Sequence, residues 1–440
     1  MANTYLTRTP SSAGNRRTWT ISTWVKFSGD GDDVAIFNAW YADSNVGHFT
    51  FKRRSTNSQL GWSQWSSDNY TNASYRDVNG WYHIVLAVDT TQSTASNRQK
   101  LYVNGEQVTS FSTSYTLGLN EELPVNNNNI HTIGANKYSS IGNYFNGSMS
   151  HFHMTDGTAY DATAFGETDA TTGEWKIKTS PSVTYGTNGF FILKDGNSVT
   201  DQSGNSNNWT VAGGTLTKTE DSPSNVFATW NPLQATTAAT YDFSAGNTRM
   251  AVNDTAVFSL GATLAATTGK YYMEMKWVQQ GGNGSWGMIP IDTDINNRPR
   301  NAGVGWNQQD NAPWLLGTIV SGSWGGSIGT NDIIQLAMDL DNGAFYFGKN
   351  GTYLNSGNPT SGSSKTGAVN FSGTSLFGKQ LTFAIGKGAS GTDGWNANFG
   401  NGYIEQTAVA SAGTNASGNG IFEYDVPTGF TALSTKGLNL

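Results

Sequence analysis

The stretch Trp19-Thr20-Ile21-Ser22-Thr23-Trp24-Val25-Lys26-Phe27 alternates large apolar residues with small or polar ones. A period of two belongs to a β-strand, and the pattern predicts one that is half-buried. Working outward, Trp81-Tyr82-His83-Ile84-Val85-Leu86-Ala87-Val88-Asp89 and Lys100-Leu101-Tyr102-Val103 continue the alternation. Asn104-Gly105 then follows, and this pair supplies the positive φ angles of a tight hairpin. A second group of strands begins near Gly269-Lys270-Tyr271-Tyr272-Met273-Glu274-Met275-Lys276-Trp277 and ends around Trp395-Asn396-Ala397-Asn398-Phe399-Gly400. No stretch keeps a helical stripe over four turns, and Gly, Asn, Ser and Thr interrupt the runs at short intervals. The expected fold class is therefore all-β, with two β-sandwich (jelly-roll) domains in tandem.

The length of 440 residues allows two or three cores at about 150 residues per domain, and two fits sandwiches best. Between the strand groups, Asn231-Pro232-Leu233-Gln234-Ala235-Thr236-Thr237-Ala238-Ala239-Thr240 has turn chemistry and little to bury. The boundary is expected between Pro232 and Tyr241, giving domains 1–232 and 241–440. Aromatic residues make up 12% of the chain against 36% for all apolar residues, so the cores should be built from rings more than from aliphatic groups.

The absence of Cys removes disulfides, thiol chemistry and Cys-ligated metals. A net charge of −7 leaves no excess of Lys and Arg to displace phosphate counterions, so no nucleic-acid partner is expected. The N-terminus lacks the basic and apolar regions of a signal peptide, and no 18-residue apolar run occurs. The expectation is a protein made in a cytoplasm without membrane insertion.

Residues 18–25, 80–84 and 101–105, with Phe145-Asn146-Gly147-Ser148-Met149-Ser150-His151-Phe152-His153, resemble a laminin-G or concanavalin A-like jelly roll. Asp201-Gln202-Ser203-Gly204-Asn205-Ser206-Asn207-Asn208-Trp209 is similar to the segment that usually opens such domains. Its place at the end implies a permuted roll, with Gly189-Phe190-Phe191-Ile192-Leu193 as a further strand; the alternative is a linker carrying a hairpin. The second group resembles a SPRY (B30.2-like) sandwich through Asn331-Asp332-Ile333-Ile334-Gln335-Leu336-Ala337-Met338-Asp339-Leu340-Asp341-Asn342-Gly343 and Phe345-Tyr346-Phe347-Gly348-Lys349-Asn350-Gly351.

Three more strings, 184–190, 221–232 and 422–433, are similar to virion proteins of marine tailed bacteriophages. This resemblance implies a structural protein located on the virion, with other virion proteins as partners and a homo-oligomer, most simply a trimer. The expected function is a non-enzymatic tail-fibre or knob-type adhesin binding a host surface glycan. Capsid decoration and, more weakly, polysaccharide depolymerase activity are the alternatives. No heptad or collagen-like shaft is present, which favours a knob or head-surface protein over a long fibre.

Glycoside hydrolysis needs two carboxylates flanking the bond, and the Glu-x-Asp-x-x-Glu pattern of sandwich glucanases is missing; no catalytic residue is expected. Sugar binding needs exposed ring faces beside amides and hydroxyls. The candidates are Trp62, Trp65 and Tyr70 in the first domain, and Trp306, Asn307, Trp314 and Trp324 in the second, with loop 306–314 placed first. Trp62 and Trp65, three apart in a strand, should face opposite sides. His151 and His153 share a strand face at a spacing a metal could use, but ring packing is the simpler reading, and His83 is expected as a hydrogen-bonded core residue. No cofactor is expected beyond calcium, whose oxygen ligands would come from Asp30, Asp32 and Asp33.

Overall fold

The computed structural model describes residues 3–28, 33–42, 47–64, 66–194, 198–235, 240–254, 257–281, 283–325, 327–388 and 391–439. It divides into two compact units, Met1–Lys218 and Thr219–Leu440. The division falls before the expected boundary at Pro232–Tyr241, and the reason is packing. Phe227 bridges to Ser434 and Trp230 to Ala262, and Trp230 is fully buried, meeting Phe399 edge-on at 5.0 Å. The string 221–232 is thus an integral strand-like edge of the second unit. Among the described residues, no helix is long and apolar enough to cross a membrane.

The first unit is a sandwich of two antiparallel sheets. In spatial order, the eight-stranded sheet runs Phe111–Thr113, Ser67–Ser74, Gln59–Gln64, His48–Arg53, Val34–Trp40, Ile130–Ile133, Tyr5–Arg8 and Thr210–Ala212. The six-stranded sheet runs Phe190–Ile192, Gly147–Asp156, Thr18–Phe27, Tyr82–Asp89, Gln99–Val103 and Glu106–Gln107. Trp19, Ile21, Val25, Leu86 and Phe152 from the second sheet meet Phe37, Phe49 and Phe51 from the first in one apolar core. The hairpin at Asn104-Gly105 has φ of 49° and 87°, as the pair predicts.

The strand Thr18–Phe27 departs from its expectation, since every residue from Trp19 to Phe27 is buried. Its outer face, carrying Thr20, Ser22 and Trp24, is roofed by an excursion over residues 157–187. Ala162, Phe165 and Trp175 of that excursion pack on Val85 and Tyr102. His83 is fully buried there, stacked between Trp24 at 4.8 Å and Trp175 at 5.9 Å.

The segment after residue 188 completes the same unit instead of leaving it as a linker. Phe190–Ile192 pairs with Phe152–Met154, and Thr210–Ala212 pairs with Tyr5–Thr7, so the terminal segment lies beside the first strand. The Asp201 carboxylate accepts from the backbone N–H groups of Phe191, Ser203 and Asn207 at 2.9 Å each and fixes the turn between them.

The second unit has a nine-stranded sheet whose middle strands are Arg249–Asp254, Gly391–Asn398, Lys270–Gln280, Ile334–Asp339 and Ala344–Lys349. A six-stranded sheet packs on it, in the order Phe258–Gly261, Leu381–Lys387, Gly284–Pro290, Val304–Asn307, Ala312–Leu315 and Thr318–Ile319. Five fully buried indoles, Trp230, Trp277, Trp286, Trp306 and Trp395, dominate the core between them. The ring-rich composition therefore becomes ring-rich packing. Gly343, at φ 68°, turns the Asp341-Asn342-Gly343 hairpin, and Asn350-Gly351 repeats the 49° and 87° turn.

Candidate functional site

Most of the sequence-derived sugar contacts lie in the cores. Trp62 is 2% exposed and packs edge-on to Phe111 at 5.9 Å. Trp306 is fully buried, parallel to Trp286 at 6.4 Å and against Phe347 at 5.5 Å. Trp324 is buried and donates to Val320 O at 3.0 Å. Asn307 is fully buried and donates to Asp310. The expected loop 306–314 is a hairpin, with Trp306 opposite Pro313 and Gly305 opposite Trp314. Period two then sends Trp306 inward and Trp314 outward.

Trp314 alone of the second-unit set is half-buried on the outer face. It donates to Asp310 Oδ2 at 3.0 Å while the Arg300 guanidinium lies 4.6 Å from its ring centre. Tyr70 is buried on the outer face of the eight-stranded sheet. It lies against Gly61, whose added Cβ would come within 2.5 Å of its ring, and beside Arg54 at 4.2 Å and Lys52 at 5.7 Å. Trp65, Asp30 and Asp32 lie outside the described residues. Asp33 accepts from the Ser55 N–H at 2.6 Å, and no group of three metal-ligating side chains occurs among the described residues.

The histidines serve structure. The Trp175 indole N–H donates to His83 Nδ1 at 3.0 Å, so His83 Nε2 carries the proton shared with Ser22 Oγ at 2.9 Å. Burial pushes the His83 pKa down to about 3. His151 sits at φ 48° where the strand register shifts between Ser150 and His153, yet the two rings stay on one side, 6.4 Å apart, and both pack on Phe191, His151 at 5.6 Å. His153 stacks on Phe191 at 3.9 Å and bonds the Tyr185 hydroxyl at 2.9 Å, so ring packing is what the pair does.

The face with the most suitable chemistry is the outer side of the eight-stranded sheet. Phe37, Ala39, Phe49 and Phe51 point into the core, so alternation directs Asn38, Trp40, His48, Thr50 and Lys52 outward. Across the ladder, Ser63, Gly61, Asp68 and Tyr70 share that side. Asp68 is the single carboxylate among these outward strand positions. The short hairpin Asn136–Lys137 with Ile141–Gly142 folds over Asn38 and is held by one carboxamide. Asn136 Oδ1 accepts from Asn38 Nδ2 at 3.0 Å and Thr50 Oγ1 at 3.1 Å, with His48 Nε2 at 3.3 Å.

These contacts fix the amide and leave Asn136 Nδ2 as an oriented donor with no partner among the described residues. The same side carries Trp40, half-buried with Lys137 Nζ 4.9 Å from its ring centre, and Tyr138, 40% exposed and edge-on to His48 at 5.7 Å. Tyr41, 42% exposed, follows the strand. Sequence reasoning missed this group. A signal was present in the alternation of Phe37-Asn38-Ala39-Trp40, but the hairpin that brings Asn136 to it comes almost a hundred residues later.

Three solved structures are similar over about a third of the chain. The SPRY domain of human HERC1 matches at 12% identity and a TM-score of 0.29, covering 38% of this chain and 96% of that one. The TRIM65 PSpry domain matches at 12% and 0.28, covering 38% and 87%. A human SPRY domain matches at 14% and 0.25, covering 36% and 92%. Comparison with curated proteins finds no match. Residues 2–163, which carry every strand of the outer face just described except the last, Thr210–Ala212, are similar to the concanavalin A-like lectin/glucanases superfamily.

Proposed function

We propose that this chain is a non-enzymatic virion surface protein of a tailed phage, a knob-type adhesin that holds a host surface glycan on the outer face of its eight-stranded sheet. The observation that carries the glycan reading is the amide of Asn136, fixed through its Oδ1 on the face that also carries Trp40 and, beside His48, Tyr138. A fixed amide reading a hydroxyl, beside ring faces that cover the apolar side of a sugar, is the chemistry saccharide recognition requires. Asp68 is the single outward carboxylate of those strands, which supports binding over hydrolysis, a reaction that takes two.

The virion assignment rests on the likeness of strings 184–190, 221–232 and 422–433. Two of them supply Phe227, Phe422 and Phe430 to one apolar cluster of the second unit, so they form a joint structural element. The SPRY-like reading of that unit rests on its Asp341-Asn342-Gly343 hairpin, and trimeric assembly belongs to the same proposal. Capsid decoration is the second reading, favoured by the exposed Leu316 and Ile319 close to Trp314 in sequence.

Binding of the full chain to purified host-cell polysaccharide tests the adhesin. Tyr138→Ala is expected to weaken it at least tenfold with an unchanged urea midpoint, and absence of binding by the unmodified chain overturns the reading. Gold label on the C-terminus separates the locations: label at the tail tip supports the adhesin, and label over the capsid lattice supports decoration.

A further inference from the structure

The outer face of the eight-stranded sheet carries a charge opposite to that of the whole chain. Lys52, Arg54 and Lys137 all stand on it, and none pairs with a carboxylate among the described residues. Lys52 and Arg54 lie against the Tyr70 ring and Lys137 against the Trp40 ring. Arg54 donates to Gln59 and Lys137 donates to Ser139 O at 3.2 Å, both neutral acceptors. Several cations elsewhere are matched: Arg16 and Arg17 share Glu122, Lys176 meets Glu167 and Asp169, and Arg249 meets Asp242, while Arg98, Lys178 and Lys365 reach neutral acceptors singly. With a net charge of −7 over the chain, three cations on one face against the single outward carboxylate of Asp68 make a local positive field.

We infer that this face selects an anionic polysaccharide, whose carboxylate or sulfate groups engage Lys52, Arg54 and Lys137 while its rings lie by Trp40, Tyr41 and Tyr138. The inference deepens the glycan reading and rests on it. Trp40 is directly opposite His48 across the ladder, and Lys52 is four residues further along the same strand. At 3.4 Å per residue the two ends of the stripe are about 14 Å apart, which fits an extended chain bearing repeated charges better than a single sugar. A cation held over a ring is partly stripped of water and positioned, so an anion reaching it pays less to order the side chain.

The test measures binding of the full-length protein to dextran sulfate and to unmodified dextran, which share a backbone and differ only in charge. The inference expects binding to dextran sulfate at least tenfold tighter than to dextran at low salt, with the gap closing as salt is raised. The double variant Lys52→Ala with Lys137→Ala should lose at least tenfold for dextran sulfate. Lys176→Ala, already paired with acids and remote in the fold, should lose nothing. Equal binding of both polymers overturns the charge selection and leaves the glycan reading standing. Binding of neither overturns both. A thymidine oligonucleotide of equal charge that competes as well as dextran sulfate overturns the polysaccharide assignment in favour of unselective polyanion binding.

Discussion

The Trp175 indole donates to His83 Nδ1 at 3.0 Å with the two rings 21° from parallel, and this contact pins the roof of residues 157–187 to the six-stranded sheet. The indole lies flat on the chain, for a Cβ at Gly105 or Gly166 would come within 2.6 Å or 2.5 Å of it. Trp175→Phe keeps most of the apolar contact but leaves a buried imidazole nitrogen without its donor, at a cost of about 1–3 kcal/mol. Urea unfolding should show that loss, and a further loss for Trp175→Ala as the roof detaches.

Acid should weaken the first unit. Burial holds His83 down to about 3 and His131 down to about 4, and holds His153 well below its ordinary value. The unfolded chain takes up protons on these residues near pH 6.5 while the folded one does not, so stability is complete above that pH and falls as pH drops toward the folded values. With three sites the slope reaches about 4 kcal/mol per pH unit at its steepest. Urea midpoints at pH 7, 6 and 5, with hydrogen exchange read on peptides of residues 82–89 and 147–156, should fall in that order. Midpoints independent of pH would contradict it.

The second unit contains a group with the opposite sign. Glu274 is buried beneath the C-terminal segment, where its carboxyl accepts from the N–H groups of Glu423 and Tyr424 at 2.8 Å each and from the Tyr272 hydroxyl at 2.9 Å. Burial outweighs these bonds and raises its pKa to about 7. Its contribution is present below pH 4.5, the ordinary value, and is lost as pH rises through 7, a change of about 3 kcal/mol. Exchange at the amides of Glu423 and Tyr424 should quicken between pH 5 and 8 beyond the intrinsic base-catalysed rise, and Glu274→Gln should remove that excess.

Gly351 has a φ of 87°, and an added Cβ would come within 2.9 Å of the Tyr424 ring. Gly351→Ala is expected to cost about 1–2 kcal/mol from the backbone alone, and more from the clash. Thermal unfolding would register it, and Tyr424→Ala in the same chain should recover the part due to contact.

Trp40 and Trp306 should separate binding from stability. Trp306→Ala empties a fully buried site and is expected to cost about 3–5 kcal/mol. Trp40→Ala, on the outer face, should cost far less and abolish polysaccharide binding. Calorimetry and a pull-down on the same two variants check both halves.

Period-two alternation, the Asn104-Gly105 and Asn350-Gly351 turns and the absence of helical stripes were enough to determine the all-β class, because strand pairing and positive-φ turns are local chemistry. Burial was not local. Alternation at Trp19–Phe27 marks which residues share a face, but only the roof carrying Trp175 decides that both faces are buried. The same reason moved Trp62, Trp306 and Trp324 into cores: a tryptophan amid polar neighbours looks like a sugar platform until the strand pairing turns it inward. Phe227 and Trp230 shifted the domain boundary because the strands they meet, near Ser434 and Ala262, are distant in sequence. The amide of Asn136 beside Trp40 joins positions almost a hundred residues apart, and such a meeting exists only once the sheet has formed.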